Sequence, residues 1–124
     1  MARQTVLLVD DSITILQMAG SVLPQASYKV ATATNGADAL PLAFQVQPDL
    51  ILVDGVMPGR DGLETTRELR TVKTTEDTPI LMLTSKDDPE FVKAAFQTGC
   101  SDYIVKPVDG SELLAMVKSM LEEY

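Results

Sequence analysis

The amino-acid sequence predicts a three-layer α/β sandwich, in which helices cover both faces of one parallel sheet. Short apolar segments rich in Val, Ile and Leu alternate with stretches of helical spacing along the whole chain. The segments are apolar on both faces, which is typical of strands in a parallel sheet that is buried on both sides. A chain of 124 residues, 45% of them hydrophobic, is long enough to form one core.

Each element of this sandwich has a local signal in the sequence. Strands are predicted over residues 5–9, 28–33, 50–53, 80–83 and 103–105, and helices over residues 12–23, 36–46, 63–72, 90–98 and 109–123. Pro89 suits the first turn of the fourth helix, Gly99 follows its end, and Asp109 with Glu112 forms a variant of the capping box. Pro41 falls inside the second helix, so we expect a kink there or a shifted start.

The first predicted helix carries apolar residues on two faces. We expect one face to pack on the sheet and the other to remain accessible to a partner, although a neighbouring loop covering part of it is an alternative. The sheet-facing set is Ile13, Leu16, Gly20 and Leu23, and the second stripe is Ile15, Met18 and Val22.

Composition and charge exclude several classes of function. No segment approaches the roughly 20 apolar residues that cross a bilayer, and the formal net charge of -8 argues against direct binding of nucleic acid. The absence of histidine removes imidazole catalysis and most zinc sites. The single cysteine, Cys100, fits a packed position in a reducing, cytoplasmic compartment. We expect one domain over residues 1–124, either a stand-alone protein or a piece of a longer one.

Polar residues of reactive types follow four of the five predicted strands. In open parallel sheets, ligands bind outside the carboxyl ends of the strands, so we expect these side chains to converge on one place. They are Asp10 and Asp11 after the first strand, Asp54 after the third, Thr84 and Ser85 after the fourth, and Lys106, which precedes Pro107, after the fifth.

The three carboxylates at this edge require positive charge nearby. Two like charges about 4 Å apart repel by about 4 kcal/mol at an effective dielectric constant of about 20. Lys106 supplies one positive charge, so a divalent cation, Mg²⁺ or Mn²⁺, held by Asp10 and Asp11 is the economical balance. The alternative is that Asp11 or Ser12 caps the following helix, whose N-terminus favours acidic residues.

These motifs together resemble the receiver domain of two-component response regulators, a family with the fold of the chemotaxis regulators. The resemblance extends over essentially the whole chain. It depends on Asp10-Asp11, the segment DLILVDGVMPGRDG around Asp54, Thr84-Ser85, Tyr103 and Lys106-Pro107. It implies a doubly wound, flavodoxin-like sheet of strand order 2-1-3-4-5 with five helices.

The resemblance implies that Asp54 is the phosphoacceptor. A carboxylate can attack phosphorus without a general base if positive groups neutralise the phosphoryl oxygens. Lys106 is expected to pair with Asp54 before phosphorylation and with the phosphoryl group afterwards. The implied metal ligands are Asp10, Asp11, Asp54 and the backbone carbonyl of Val56. The domain would then catalyse its own phosphorylation and slow dephosphorylation.

Residues implied to switch the output lie at the last two strands. Thr84 is expected to hydrogen-bond a phosphoryl oxygen, with Ser85 as the small neighbour that keeps the site open. Tyr103 resembles the switch aromatic, which turns inward as the threonine moves and changes the face made by the fourth helix, fifth strand and fifth helix. The Lys106-Pro107 bond resembles the family's cis peptide.

The implied partners are proteins. A histidine kinase or histidine phosphotransfer domain would donate the phosphoryl group, docking on Thr14, Ile15 and Met18. A downstream protein would bind the switched face, and a phosphorylation-linked dimer is a further expectation.

Other classes and some departures bear on this interpretation. A haloacid-dehalogenase-like phosphatase has a second aspartate where this chain has Val56, and a flavodoxin-like carrier has a phosphate loop where Asp10 and Asp11 would repel a flavin phosphate. A degenerate receiver that binds a partner without phosphorylation is the third alternative. Val56 cannot align an attacking water, which favours a long-lived acyl phosphate, and Lys86 is positioned to reverse this. Arg60 departs from the family's usual apolar residue.

Overall fold

Five strands form one parallel sheet. In this computed structural model, which describes residues 3–57, 59, 61–85 and 88–122, the strands are β1 (Thr5–Val9), β2 (Lys29–Ala33), β3 (Leu50–Asp54), β4 (Ile80–Thr84) and β5 (Asp102–Val105). Their order is β2-β1-β3-β4-β5 and every neighbouring pair is parallel. The predicted doubly wound fold is therefore confirmed.

Five helices flank the sheet: α1 (Ile13–Gln25), α2 (Ala39–Val46), α3 (Gly62–Leu69), α4 (Pro89–Thr98) and α5 (Gly110–Leu121). Side-chain oxygens cap α1, α3, α4 and α5 at their N-termini, from Ser12, Asp61, Asp88 and Asp109 respectively. The capping box at the start of α5 is complete, as predicted. No helix in the described part of the chain has the length and apolarity needed to cross a bilayer.

The core has two layers, one on each face of the sheet. Along β1, Val6 and Leu8 pack with α1 and α5, whereas Leu7 and Val9 pack with α2, α3 and α4. This alternation follows from the two-residue period of a strand. Cys100 is buried in the second layer as a free thiol, as the composition predicted.

The start of α2 explains the proline inside the predicted second helix. A 3₁₀ turn covers Gly36–Asp38, and α2 begins at Ala39. Pro41 therefore lies in the first turn of α2, where a backbone N–H has no partner within the helix. The helix starts later than residue 36 and accommodates the proline.

The predicted assignment of faces on α1 is wrong for Ile13, Gly20 and Ile15, although Leu23 is buried as predicted. The buried residues of α1 are Ile15, Ala19 and Leu23, whereas Ile13, assigned to the sheet, is 69% exposed. Helix α5 covers the stripe expected to be accessible: a Cβ placed on Gly110 would lie 2.9 Å from Val22 Cγ1 and 3.8 Å from Met18 Cγ. Because α1 packs against both the sheet and α5, the stripe expected to be accessible has partners within the domain.

Helix α3 ends at Leu69, three residues before the predicted end at residue 72. The next residue, Arg70, folds its guanidinium back over the connection to β4 and the end of α4. It donates to four backbone carbonyls, those of Thr75 (2.7 Å), Glu76 (3.2 Å), Thr78 (2.6 Å) and Gly99 (2.9 Å). The loop after α3 is therefore held by hydrogen bonds from the Arg70 side chain and not by a further helical turn.

Candidate functional site

The carboxyl edge of the sheet brings together the acidic residues and the lysine that follow separate strands. Asp10 follows β1, Asp54 ends β3 and Lys106 follows β5. Carboxylate oxygens of Asp10, Asp11 and Asp54 all lie within 4.8 Å of one another. The Nζ atom of Lys106 lies 3.2 Å from Asp10 Oδ2 and 3.4 Å from Asp54 Oδ1. One cation therefore faces two buried anions.

Two of these carboxylates are held by the backbone around them. Asp10 Oδ1 accepts the N–H of Ser12 at 2.8 Å, and Asp54 Oδ1 accepts the N–H of Val56 at 3.1 Å. Asp10 Oδ2 is fully buried and, among the described residues, has an ion pair with Lys106 but no aligned hydrogen bond. A buried anionic oxygen in that state is stabilised by further positive charge.

The pKa of Asp54 is raised to about 6, mainly by burial and also by the nearby charge of Asp10, whereas the hydrogen bond from Val56 and the ammonium of Lys106 oppose the rise. The donor set consists of carboxylate oxygens, which suit hard cations such as Mg²⁺ and Mn²⁺. The residues present therefore fit a divalent cation.

Thr84 lies at the same edge, next to the strand that ends in Asp54. It is fully buried as the last residue of β4, and its carbonyl accepts the N–H of Lys106 at 2.7 Å. A Cβ built on Gly55 would lie 3.2 Å from Thr84 Oγ1. Ser85, the following residue, is exposed. Thr84 is thus positioned beside the backbone that carries Asp54.

Helix α3 begins directly against the backbone of Asp54, a feature that the sequence analysis missed. A Cβ on Gly62 would lie 2.3 Å from the carbonyl oxygen of Asp54, so this position admits only glycine. The N–H of Gly62 donates to the carbonyl of Gly55 at 3.2 Å. The glycine immediately after the helix cap Asp61 is visible in the sequence, but only the contact with Asp54 shows why a glycine is needed there.

The residues expected to form the output face lie along α4 and β5. Tyr103 is half-buried, and its ring meets the edge of Phe96 with centroids 6.0 Å apart and an interplanar angle of 85°. Phe96 and Val105 are both exposed large hydrophobic residues. The Lys106-Pro107 peptide bond is cis.

A depression of about 320 Å³ lies beside the acidic cluster, between the start of α1 and the β5–α5 connection. Its lining includes two of the three residues predicted to dock a partner, Thr14 and Ile15, but not Met18, which packs towards α5. The full lining is Ser12, Thr14, Ile15, Ser85, Lys106, Pro107 and Val108. Two other residues singled out by the sequence, Arg60 and Lys86, lie outside the described residues.

The fold and the strand-end cluster define a class of signalling domain. The chain belongs to the response regulator receiver domain family, which it matches over residues 6–118. It is therefore a receiver domain of the two-component systems, and the phosphatase and flavin-carrier alternatives are not favoured.

Sequence similarity to a curated protein extends over almost the whole chain. It is 37% identical over 121 residues to the phosphate regulon transcriptional regulatory protein PhoB of Pseudomonas aeruginosa, a match that covers 98% of this chain and 53% of PhoB. The chain thus spans about half the length of this curated relative.

Solved structures show the same likeness. The Vibrio cholerae chemotaxis protein CheY4 superposes with a TM-score of 0.92 at 38% identity, covering 97% of this chain and 100% of that one. The receiver domain of the sensor histidine kinase PA1611 of P. aeruginosa has a TM-score of 0.88 at 29% identity and covers 98% of this chain and 100% of its own. The PA1611 structure has a magnesium ion coordinated in its active-site cleft.

Proposed function

We propose that this receiver domain accepts a phosphoryl group on Asp54 from the phosphohistidine of a histidine kinase or histidine phosphotransfer domain. The observation that carries the proposal is the placement of Asp54, buried at the end of β3, 3.4 Å from Lys106 and within 4.8 Å of two further carboxylates. Phosphoryl transfer depends mainly on positioning and on charge stabilisation, which this arrangement supplies.

Asp10, Asp11 and Asp54 are the carboxylates that would hold Mg²⁺, or Mn²⁺, together with the backbone carbonyl of Val56. A bound divalent cation supplies positive charge to the carboxylates and to the phosphoryl oxygens. The buried Oδ2 of Asp10 and the raised pKa of Asp54 both favour such a cation.

The chemistry at Asp54 is a direct displacement. An oxygen of the Asp54 carboxylate attacks phosphorus, and the bond from phosphorus to the histidine nitrogen breaks as the new P–O bond forms. Above a pH of about 6 the carboxylate of Asp54 is ionised and ready to attack. Lys106, which now contacts Asp54 Oδ1, transfers its contact to a phosphoryl oxygen, and the Thr84 hydroxyl donates to another.

The output is a change of a protein-binding face. A phosphoryl group adds about 1.5 to 2 negative charges and three acceptor oxygens, which favour a state in which Thr84 moves inward. Tyr103 responds at β5, and the face of α4, β5 and α5 binds a downstream protein or a second phosphorylated copy. The partners proposed here act in the cytoplasm, where we place the domain.

The depression beside the site is the proposed docking surface for the phosphodonor. Its apolar wall of Ile15, Pro107 and Val108 adjoins Lys106, so a partner seated there would present its histidine to the cluster. Thr14 is exposed beside this wall, and Met18, the third predicted docking residue, is not among the residues that line the depression.

The first test measures the response to Mg²⁺ with beryllofluoride, a mimic of the phosphoryl group, and labelling by acetyl phosphate. We expect wild-type protein to respond to both and Asp54→Asn to respond to neither. Asp38→Asn is the matched control and should respond like wild type, because it changes an exposed aspartate that ends the 3₁₀ turn and is not part of the acidic cluster. Lack of any wild-type response would favour a degenerate receiver instead.

A second test addresses docking. We expect Thr14→Arg to slow transfer from a phosphorylated histidine phosphotransfer domain by about tenfold, since it places a bulky charge on the contact surface. Labelling by acetyl phosphate should stay unchanged. Ser21→Arg, an exposed position further along α1, is the control. Equal slowing with both phosphodonors would contradict the docking surface.

A further inference from the structure

The space beside Gly55 is filled by a ring from helix α4. Gly55 is buried and follows Asp54 directly, and its N–H donates to the carbonyl of Leu83 at 2.6 Å. A Cβ built on Gly55 would lie 3.0 Å from Cζ of Phe91 and 3.1 Å from Cβ of Thr84. The tip of the Phe91 ring and Thr84 therefore border the same small space, which a side chain at position 55 would enter.

The same residue belongs to the first turn of α4. The N–H of Phe91 is bound by the capping carboxylate of Asp88 at 2.9 Å, so its backbone is part of the helix start. One turn further on, Ala95 is buried in the core layer of α2, α3 and α4. Phe91 thus has its backbone in the helix and the tip of its ring at the edge of the site.

We propose that Phe91 is a positioning residue that transmits movement of Thr84 to helix α4. This inference rests on the proposed function, in which Thr84 moves towards a phosphoryl group on Asp54. Residue 55 has no side chain to lie between Thr84 and the ring of Phe91, so the two groups border the same space. Movement of Thr84 changes the surface against which the ring packs, and the first turn of α4 moves with the ring.

The physical basis is close packing. Interiors have few voids, and a gap opened beside a ring forfeits contacts that the surroundings recover by shifting. If the ring of Phe91 moves with Thr84, the backbone of Phe91 moves with the ring. That backbone is held in the helix by the cap from Asp88, so the start of α4 moves as well. The route through Phe91 is separate from the one through Tyr103, which contacts Phe96 on the next turns of the same helix.

The experiment compares Phe91→Ala with wild type by amide NMR in saturating Mg²⁺ and beryllofluoride. We expect the amide of Thr84 to shift as in wild type, while the shifts of residues 89–98 fall by about threefold or more, as expected when a coupling free energy is removed. Phe96→Ala is the matched control on the same helix, and should retain the shifts at residues 89–92. Retained shifts across the first turn of α4 in Phe91→Ala would overturn the proposal.

A second variant protects the test from a folding defect. Phe91→Leu keeps most of the apolar volume but lacks the tip of the ring, so, if Phe91→Ala does not fold, it should still lower the ligand-induced shifts of residues 89–98, and unchanged shifts would count against the proposal. Gly55→Ala supplies an independent arm: its methyl group should displace the ring and shift the α4 amides without ligand, and this effect should vanish in the Phe91→Ala background. Persistence of the effect there would contradict the route through Phe91.

The failure of this inference differs from failure of the proposed function. If Asp54 does not accept phosphoryl groups, wild-type protein shows no shift of the Thr84 amide with beryllofluoride. If only the inference fails, Thr84 and α4 both shift in wild type and in Phe91→Ala.

Discussion

Two regions of this domain hold charged side chains that are at least partly buried, and they differ in how many partners of opposite polarity surround each charge. At the α3–β4 connection, one guanidinium, that of Arg70, donates to four carbonyl oxygens. At the carboxyl edge of the sheet, three carboxylates lie together, and among the described residues Lys106 pairs with two of them, while Asp10 Oδ2 has no aligned hydrogen bond. In the first region the cation has its partners within the protein, whereas in the second the carboxylates outnumber the ammonium groups among the described residues.

This difference distinguishes Arg70, whose charge has a structural role, from the charges around Asp54, which we propose act in phosphoryl transfer. Arg70 needs no ligand, so we expect its contribution to stability to be constant across magnesium concentration. We expect the cluster around Asp54 to oppose folding when ionised and without a cation, and to stabilise the fold if a cation binds. The contrast can be tested by removing charge from each region in turn.

The largest expected effect is at Arg70. Replacing it with Met leaves carbonyls of the α3–β4 connection and of Gly99 without a donor, so we expect the free energy of unfolding to fall by about 2–4 kcal/mol. Urea unfolding followed by circular dichroism measures this. Arg67→Met, an exposed change on the same helix, should cost less than about 0.5 kcal/mol. A loss at Arg70 that depended on Mg²⁺ would erase the distinction between the two regions.

The next effect is the pH dependence set by Asp54. Its pKa is about 6 in the fold against an ordinary value of 3.8, so the fold favours the protonated form. This stabilising effect is complete below the ordinary value and is lost as pH rises through about 6. In metal-free buffer, Asp54→Asn should therefore raise the free energy of unfolding by about 1–3 kcal/mol near pH 8 and have little effect near pH 4.

Magnesium should reverse that advantage. Saturating Mg²⁺ is expected to stabilise wild type more than Asp54→Asn near neutral pH, because the ionised carboxylate is a better ligand than the amide. Thermal unfolding with and without EDTA measures both arms. An Asn variant that is less stable than wild type in metal-free buffer near pH 8 would show that the cluster is already balanced.

The smallest effect compares two adjacent threonines on α3. The hydroxyl of Thr66 is fully buried without a hydrogen-bond partner among the described residues, whereas Thr65 donates to the carbonyl of Asp61 at 2.8 Å. Thr66→Val should stabilise by about 1 kcal/mol, and Thr65→Val should destabilise by a similar amount. Chemical denaturation of both variants checks the sign. A loss at both positions would indicate that Thr66 has a partner, such as a buried water.

Much of the fold followed from local signals. The strands were predicted within one or two residues of their observed ends, because parallel strands buried on both faces read as continuous apolar runs. Caps at Asp109 and Gly99 also have local causes. The face of α1 and the end of α3 did not follow, since α5 covers Met18 and Val22, and Arg70 replaces further helical bonding. Both are contacts between segments distant in sequence.

The candidate site divides in the same way. Strand ends predicted which side chains meet, because a parallel sheet places all its carboxyl ends at one edge. The close approach of Gly62 to Asp54, and the ring of Phe91 beside Gly55, depend on how helices α3 and α4 lie on the sheet. No spacing within the sequence specifies those distances.

The close approach of Gly62 to Asp54 also constrains the connection between β3 and α3. A methyl group there would meet a carbonyl oxygen at 2.3 Å, and the Gly62 N–H closes a ring of main chain back to Gly55. The connection between them is anchored at both ends, so its length cannot drift without displacing a helix or a strand. Substitutions in that connection are therefore expected to act through the side chains that it exposes rather than through its length, and Val56 is the most exposed of the described side chains there.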